Sequence, residues 1–241
     1  MKSFKLFLIC LCFFGVKLQG QIDSLKLKIT HLVGDYFGYT TYHAFNGLLF
    51  PSNSMYLVSD SGVVMFDTPW DSTQFQPLLD SIWTRHHKKV VFCIATHYHA
   101  DRTAGLEFLN QKGIKTYTSY QTYRLCAIHH EKQSSFFFLN DTSFSVGQYR
   151  FNTFYPGEGH TPDNIVLWFD TEKILYGGCL IKSTENTSLG NIADANLILW
   201  PLTMKKLIKK FRCANYVIPG HFGWLHKKSL RHTLRLLKQN R

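Results

Sequence analysis

One apolar segment, followed at once by metal-binding side chains, constrains the fold of this chain most strongly. Residues 90–95 form a near-continuous apolar run with the length of a β-strand that is buried on both faces. His97, His99 and Asp101 follow it directly. Because the end of a buried strand holds side chains rigidly at a cleft, and imidazole and carboxylate groups bind zinc, this pattern predicts a metal site at that strand end.

The rest of the chain alternates strands and helices in two comparable halves. In the first half we predict a hairpin over residues 53–67 and helices over 72–87 and 105–111. In the second half we predict strands around 148–155, 164–169, 173–177 and 216–218, a helix around 203–212 and a closing basic helix. Sheets interleaved with helices predict an α/β sandwich in which helices cover two packed sheets.

Three further candidate ligands also stand just beyond predicted strands. His160, Cys179 and His221 each follow a strand and a glycine. A single histidine more often has a structural role, but four strand-end loops that all deliver metal-binding groups are much harder to obtain by chance. Six ligands exceed one tetrahedral site, so they divide naturally into two adjacent sites bridged by a water or hydroxide.

With these motifs the sequence resembles the metallo-β-lactamase superfamily, whose hallmark is His-x-His-x-Asp. The resemblance runs through nearly the whole mature chain and includes four further motifs, at residues 66–70, 159–164, 178–182 and 190–195. It implies an αβ/βα four-layer sandwich, with two packed mixed sheets and helices on the outer faces.

Within the superfamily the sequence is similar to the class B β-lactamases that place a three-His zinc site beside an Asp-Cys-His zinc site. Arg102 and Cys179 stand where thioesterases, lactonases and tRNA-processing nucleases usually carry a second histidine and a late bridging aspartate. A thiolate ligand at Cys179 is therefore the feature that separates these groups.

The resemblance implies two zinc ions per chain, held by six ligands: His97, His99 and His160 for the first, and Asp101, Cys179 and His221 for the second. The implied activity is hydrolysis of the β-lactam amide bond by a metal-bound hydroxide, conferring antibiotic resistance over a broad spectrum that includes carbapenems. Asp101 would orient the hydroxide, and the second zinc would stabilise charge on the departing lactam nitrogen. The alternatives are another hydrolase of the superfamily, such as a thioesterase or lactonase, and a non-catalytic protein with structural metals.

Five residues are candidates for substrate binding. Lys182, three positions after Cys179, could bind the substrate carboxylate, and Asn191 could donate to the attacked carbonyl as a second catalytic residue, although a turn role competes. Residues 38–51 match the mobile flap of the family. In this flap Phe45 and Phe50 are candidates for the apolar face, although one of them could belong to the core. Trp70 could line the cleft or serve packing alone.

Two charged residues are predicted to support the ligands without binding metal. Arg102 would lie behind the metal site near Cys179, and Asp67 would brace the loop that carries Asp101.

The first twenty residues have the composition of a secretory signal peptide. Lys2 and Lys5 precede the apolar run 6–16, and the segment ends in the small residue Gly20. A membrane anchor is the alternative, but the run is shorter than the roughly 20 residues that span a bilayer. We therefore predict a signal peptide over residues 1–20, a single domain over 21–241, and a periplasmic protein without a stable membrane anchor.

Charge and cysteine content add two open points. Removal of residues 1–20 lowers the formal charge from +11 to +8, and the excess lies largely near the C-terminus. Such a patch could bind nucleic acid or an anionic membrane, but helical spacing of leucines there favours a solvated helix face. We predict small β-lactam substrates, no nucleic-acid partner and, by default, a monomer. Pairing among Cys93, Cys126 and Cys213 stays open.

Overall fold

The strand-rich first half of the chain forms one mixed sheet. A computed structural model describes residues 27–45, 47–224 and 227–240, apart from the Phe45 side chain. The predicted signal peptide lies outside these residues. The sheet has seven strands in chain order: β1 (Leu27–Val33), β2 (Tyr36–Phe45), β3 (Leu48–Ser59), β4 (Gly62–Phe66), β5 (Val90–Ile94), β6 (Lys115–Ser119) and β7 (Phe136–Phe138). Strands β1 to β4 pair antiparallel, and β4 to β7 pair parallel.

A second mixed sheet is built from the later strands. They are β8 (Ser143–Val146), β9 (Tyr149–Phe154), β10 (Val166–Phe169), β11 (Ile174–Gly178) and β12 (Tyr216–Pro219). Their order across the sheet is β12-β11-β10-β9-β8, and only the β11–β12 pair is parallel. Since β11 and β12 run the same way, the loops after both strands leave the same edge of the sheet.

The helices connect the parallel strands and close the chain. They are α1 (Phe75–His86), α2 (Ala100–Thr103), α3 (Leu106–Gln111), α4 (Tyr120–Ile128), α5 (Trp200–Lys210) and α6 (Ser229–Gln239), with a 3₁₀ turn at Ser72–Gln74 before α1. Helix α5 begins earlier than predicted, because Pro201 fits the first helical turn, where its missing N–H costs nothing.

Alternating side chains place the two sheets between two helical layers. In β4, Val64 and Phe66 pack into the core between the sheets, whereas Val63 and Met65 pack against α1 and α3. In the second sheet, Leu175 packs toward α5 and α6. The chain is therefore the predicted αβ/βα four-layer sandwich. In the described ranges no helix is long and apolar enough to cross a membrane.

For two regions we make no specific prediction of secondary structure, and the structure forms strands and one helix there. Residues 27–52 form β1, β2 and the start of β3, and residues 115–138 form β6, α4 and β7. The segment matched to the family flap, residues 38–51, covers most of β2 and the start of β3, and Phe45 pairs with Leu48 in it. Leu48 and Leu49 are exposed there.

Candidate metal centre and substrate cleft

The structure brings all six candidate ligands to one edge of the sandwich. The first three lie just after β5, and His160 lies in the loop after β9. The loops after β11 and β12 supply the remaining two, Cys179 and His221. Because the side chains come from strand ends in both sheets, the packed core fixes their relative positions.

Asp101, Cys179 and His221 form a tight triangle of ligand atoms. Sγ of Cys179, Oδ2 of Asp101 and Nε2 of His221 lie 3.2 Å from one another in all three pairs. Nδ1 of His221 lies 2.7 Å from the carbonyl oxygen of Pro51. Since a carbonyl can only accept a hydrogen bond, Nδ1 carries the proton, and the Nε2 lone pair points at the other two ligands.

Three imidazole rings form a second cluster beside this triangle. The ring centroids are 4.9 Å apart for His97 and His99, 5.2 Å for His97 and His160, and 5.0 Å for His99 and His160. Burial lowers the pKa of His97 and His160 well below the ordinary value, so both rings are neutral, the form that binds metal. Nε2 of His97 and Nδ1 of His160 are buried without a hydrogen-bond partner among the described residues.

Nε2 of His97 also lies 3.9 Å from Oδ1 of Asp101, so the two clusters adjoin. Buried nitrogen atoms without partners, a thiol and a carboxylate are a donor set that suits divalent zinc. The residues present therefore fit a pair of metal ions.

Arg102 lies beneath the ligands, where it was predicted. Its guanidinium is fully buried and donates to Sγ of Cys179 at 3.1 Å and to the carbonyl oxygens of Asn53 and Gly220 at 2.6 and 2.9 Å. It also forms an ion pair of 2.9 Å with Asp101. Gly220 is required here, since a Cβ atom would lie 2.7 Å from that sulfur.

Asp67 braces the polypeptide just ahead of the histidines. Its carboxylate accepts from the backbone N–H and the hydroxyl of Thr96 at 2.7 and 2.9 Å, and from the hydroxyl of Tyr176 at 2.5 Å. Arg102 lies 3.4 Å away. Asp67 therefore fixes both ends of the short segment that carries the first three ligands.

Comparison with known proteins assigns this arrangement to a family. The family model described as "Metallo-beta-lactamase superfamily" matches residues 47–221, most of the chain. The chain belongs to the metallo-β-lactamase superfamily.

Similar proteins of this superfamily cover almost the whole length of the chain. A metallo-β-lactamase type 2 of Elizabethkingia meningoseptica is 39% identical over 225 residues, which are 93% of this chain and 90% of the relative. Metallo-β-lactamase IND-1 of Chryseobacterium indologenes is 42% identical over 201 residues, 83% of this chain and 84% of the relative. The crystal structure of metallo-β-lactamase IND-7 matches with a TM-score of 0.86 at 40% identity, covering 88% of this chain and 98% of that one.

The candidate metal centre opens into a cleft of about 640 Å³, a size that suits a small ligand. Phe50, Trp70, Lys182 and Asn191 all line it. The ring of Phe50 lies 5.0 Å from that of His221. The side chain of Phe45 lies outside the described part of the structure.

The three other predicted substrate-binding residues differ in how firmly they are held. Trp70 stacks on His43 with ring centroids 4.3 Å apart. Lys182 is buried, with Nζ 5.4 Å from the centre of the Trp200 ring, and this burial lowers its pKa. Asn191 is exposed, and its Oδ1 accepts from the backbone N–H of Ala193 at 3.1 Å, which is the competing turn role.

Sequence reasoning missed a contact between Asp194 and His99 in the candidate metal centre. Oδ2 of Asp194 lies 3.0 Å from Nε2 of His99. A carboxylate in this position accepts the Nε2 proton, which leaves Nδ1 of His99 as the metal-binding atom. Asp194 lies within the recognised motif at residues 190–195, but its separation of 95 residues from His99 gave no signal of contact.

Sequence reasoning also missed two residues just after α4, His129 and Glu131, which form part of the cleft wall. His129 stacks on Tyr98 with centroids 4.5 Å apart, and Glu131 lines the cleft beside it. His130 between them has a φ of 58°. The turn at the end of the helix therefore directs two titratable side chains into the cleft, and this backbone conformation is not visible in the sequence.

The cysteines of the described chain are not paired with one another. Cys93, Cys126 and Cys179 are buried, and Cys213 is exposed. Only Cys179 lies in the site.

Proposed function

We propose that this chain is a zinc-dependent β-lactamase of class B, with a three-His site beside an Asp-Cys-His site. The observation that carries the proposal is the triangle of 3.2 Å contacts among Asp101, Cys179 and His221, with Arg102 buried against the sulfur. A thiol ligand in the second cluster is the feature that, by the resemblance, separates the β-lactamases from the other hydrolases of the superfamily. The names of the relatives and the full-length similarity to IND-7 support the same activity.

Two zinc ions would be held by the six ligands described above. When bound, they would supply a water molecule of lowered pKa and stabilise negative charge that develops during attack on the lactam carbonyl. Burial raises the pKa of Cys179, and the positive charge of Arg102 offsets part of this effect. The positive charge of Arg102, and that of a metal ion held by these ligands, would favour the thiolate form of Cys179.

The chain's own residues would bind and orient the substrate. Lys182 lies in the cleft wall, so its ammonium group can pair with the carboxylate that β-lactams share. Because Oδ1 of Asn191 serves the turn, the amide NH₂ is the group that would donate to the lactam carbonyl oxygen. Asp101, at the junction of both clusters, would hold and orient the attacking water through its carboxylate.

The apolar parts of the cleft would receive the substituents of the lactam. Phe50 and Trp70 line one side, and the exposed Leu48, on the same face of β3 as Phe50, extends it. A surface of this kind recognises apolar area without demanding one side-chain shape, and it supports a broad spectrum that includes carbapenems. We further propose export to the periplasm through residues 1–20 and a monomeric enzyme.

A substrate panel tests this function against the other activities of the superfamily. Purified protein is assayed with a penicillin, a cephalosporin, a carbapenem, a thioester and an acyl-homoserine lactone. The proposal expects hydrolysis of the lactams and little turnover of the two esters. Preferential turnover of either ester over every lactam would refute it.

A further inference from the structure

The last 42 residues of the chain carry a charge equal to the formal net charge of the whole protein. Residues 200–241 contain eleven lysines and arginines and no acidic residue, which equals the formal net charge of +11 of the full chain. The residues before position 200 carry equal numbers of basic and acidic side chains. The excess positive charge therefore lies in the C-terminal part of the sequence.

The folded structure gathers these cations on one side. Helices α5 and α6 pack against each other and against the same face of the second sheet, burying Leu207, Leu236 and Leu237. The lysines and arginines of both helices lie at exposed positions outside this packed core. We define the basic helical face by its exposed cations: Lys205, Lys206, Lys209, Lys210, Arg212, Lys227, Lys228, Arg231, Arg235 and Lys238.

No ion pair among the described residues neutralises the cations of this face. Within the described ranges none of them forms an ion pair, whereas elsewhere Lys132 pairs with Glu107 and Lys173 with Asp170. Lys206 and Lys210 lie over the ring of Phe154, 5.2 and 4.7 Å from its centre. An array of unneutralised charge of one sign produces a positive potential over the whole face.

Exposed apolar side chains border the same face. Ile198, Leu199 and Leu202, where α5 begins, are 80%, 37% and 56% exposed. Leu202 lies three residues before Lys205 and four before Lys206, so it shares their side of the helix. Cations beside exposed leucine and isoleucine are the composition that binds the interface of a lipid bilayer.

We propose that the basic helical face binds reversibly to membranes rich in anionic phospholipid. The cations of this face can contact lipid phosphates while the leucine and isoleucine side chains enter the headgroup region. This binding is independent of the hydrolase function. None of the cations that define the face lines the cleft.

Vesicle co-sedimentation with charge-matched variants tests the proposal. The probes are vesicles of phosphatidylglycerol and phosphatidylcholine in equal parts, and vesicles of phosphatidylcholine alone. The test variant combines Lys205→Gln, Lys209→Gln, Arg231→Gln and Lys238→Gln. The control combines Lys28→Gln, Lys89→Gln, Lys115→Gln and Arg150→Gln, which removes the same charge from exposed positions outside the face. All proteins are expressed from the full coding sequence, so the N-terminus is common to them.

The proposal expects wild type to bind the anionic vesicles and not the neutral ones, with binding lost at high salt. The test variant should bind at least about tenfold more weakly and the control within about twofold of wild type. Equal weakening in both variants would show a net-charge effect and overturn the proposal, as would binding to neither vesicle. Unfolding midpoints of both variants check that each is folded.

A second variant separates lipid from other polyanions. Leu202→Ser removes apolar area and no charge, so it should weaken vesicle binding about threefold and leave binding to a DNA duplex unchanged. Tighter binding of wild type to DNA than to anionic vesicles, with Leu202→Ser without effect on either, would assign the face to nucleic acid and overturn the proposal.

Discussion

The guanidinium of Arg102 donates to Sγ of Cys179 at 3.1 Å, and both side chains are buried. This contact joins the floor of the candidate metal centre to the thiol that distinguishes it. A buried cation beneath the sulfur makes loss of the thiol proton easier, and the same cation neutralises the carboxylates of Asp67 and Asp101. We therefore expect both the packing of the two buried carboxylates and the ionisation of the Cys179 thiol to depend on Arg102.

Replacement of Arg102 by methionine should destabilise the protein strongly. The variant leaves two buried carboxylates without their cation, so we expect the free energy of unfolding of the metal-free protein to fall by about 3–5 kcal/mol. Urea denaturation measures this change. The control Arg150→Met, at an exposed position, should cost no more than about 0.5 kcal/mol. Equal losses for the two variants would show that Arg102 does not have this role.

Removal of the Cys179 thiol should empty one metal site and leave the other. Cys179→Ala retains His97, His99 and His160, so we expect the purified variant to hold close to half the zinc of wild type by elemental analysis. Cys213→Ala, at an exposed cysteine outside the site, should retain the full content. Wild-type zinc content in Cys179→Ala would refute the assignment of that ligand.

Asp194 should strengthen metal binding without touching metal. Because its carboxylate fixes the orientation and tautomer of His99, Asp194→Asn should weaken zinc affinity by about 10- to 100-fold. Competition with a chromogenic chelator measures the affinity. The control Asp170→Asn, at an exposed acid paired with Lys173, should leave it unchanged. An unaltered affinity in Asp194→Asn would mean that His99 is oriented by other contacts.

Asp163 should make stability depend on pH. Burial raises the pKa of its carboxyl above the ordinary value, and nearby hydroxyls of Thr122 and Thr161 offset only part of this. The folded chain thus retains a proton that the unfolded chain has already lost, so this contribution favours folding at low pH and disappears as pH rises through the folded-state pKa.

In Asp163→Asn the decline of unfolding free energy with rising pH should be shallower, by up to about 1.4 kcal/mol per pH unit in the affected range. Urea denaturation of the metal-free proteins across a pH series gives both slopes. Parallel curves for variant and wild type would contradict the expectation.

The parts of the fold that could be predicted are those that a local sequence pattern determines. Strand β5 follows from its continuous apolar run, and the β3–β4 hairpin follows from strand residues on both sides of a turn. Strand β6 could not be found this way, because its buried Thr116 and Thr118 are polar and are satisfied by hydrogen bonds to residues of other segments. Helix α5 begins at Trp200, whose indole donates to the carbonyl of Leu180, a tertiary contact.

The same distinction holds at the site. The candidate ligands carry their chemistry in their identity, so strand-end position was enough to select six side chains that the structure brings to one edge. Contacts such as that of Asp194 with His99 depend on the path of a loop, and the direction of Glu131 depends on the turn at His130. Neither path has a local sequence signal.

Metal-dependent lactam hydrolysis by the wild-type protein is the most direct test of the proposed chemistry. Turnover of a chromogenic cephalosporin is measured on the purified protein, after removal of metal with EDTA, and after zinc is added back. We predict turnover that is lost on chelation and recovered with zinc. Absence of turnover in the zinc-loaded protein, or turnover that EDTA does not change, would contradict the proposed function.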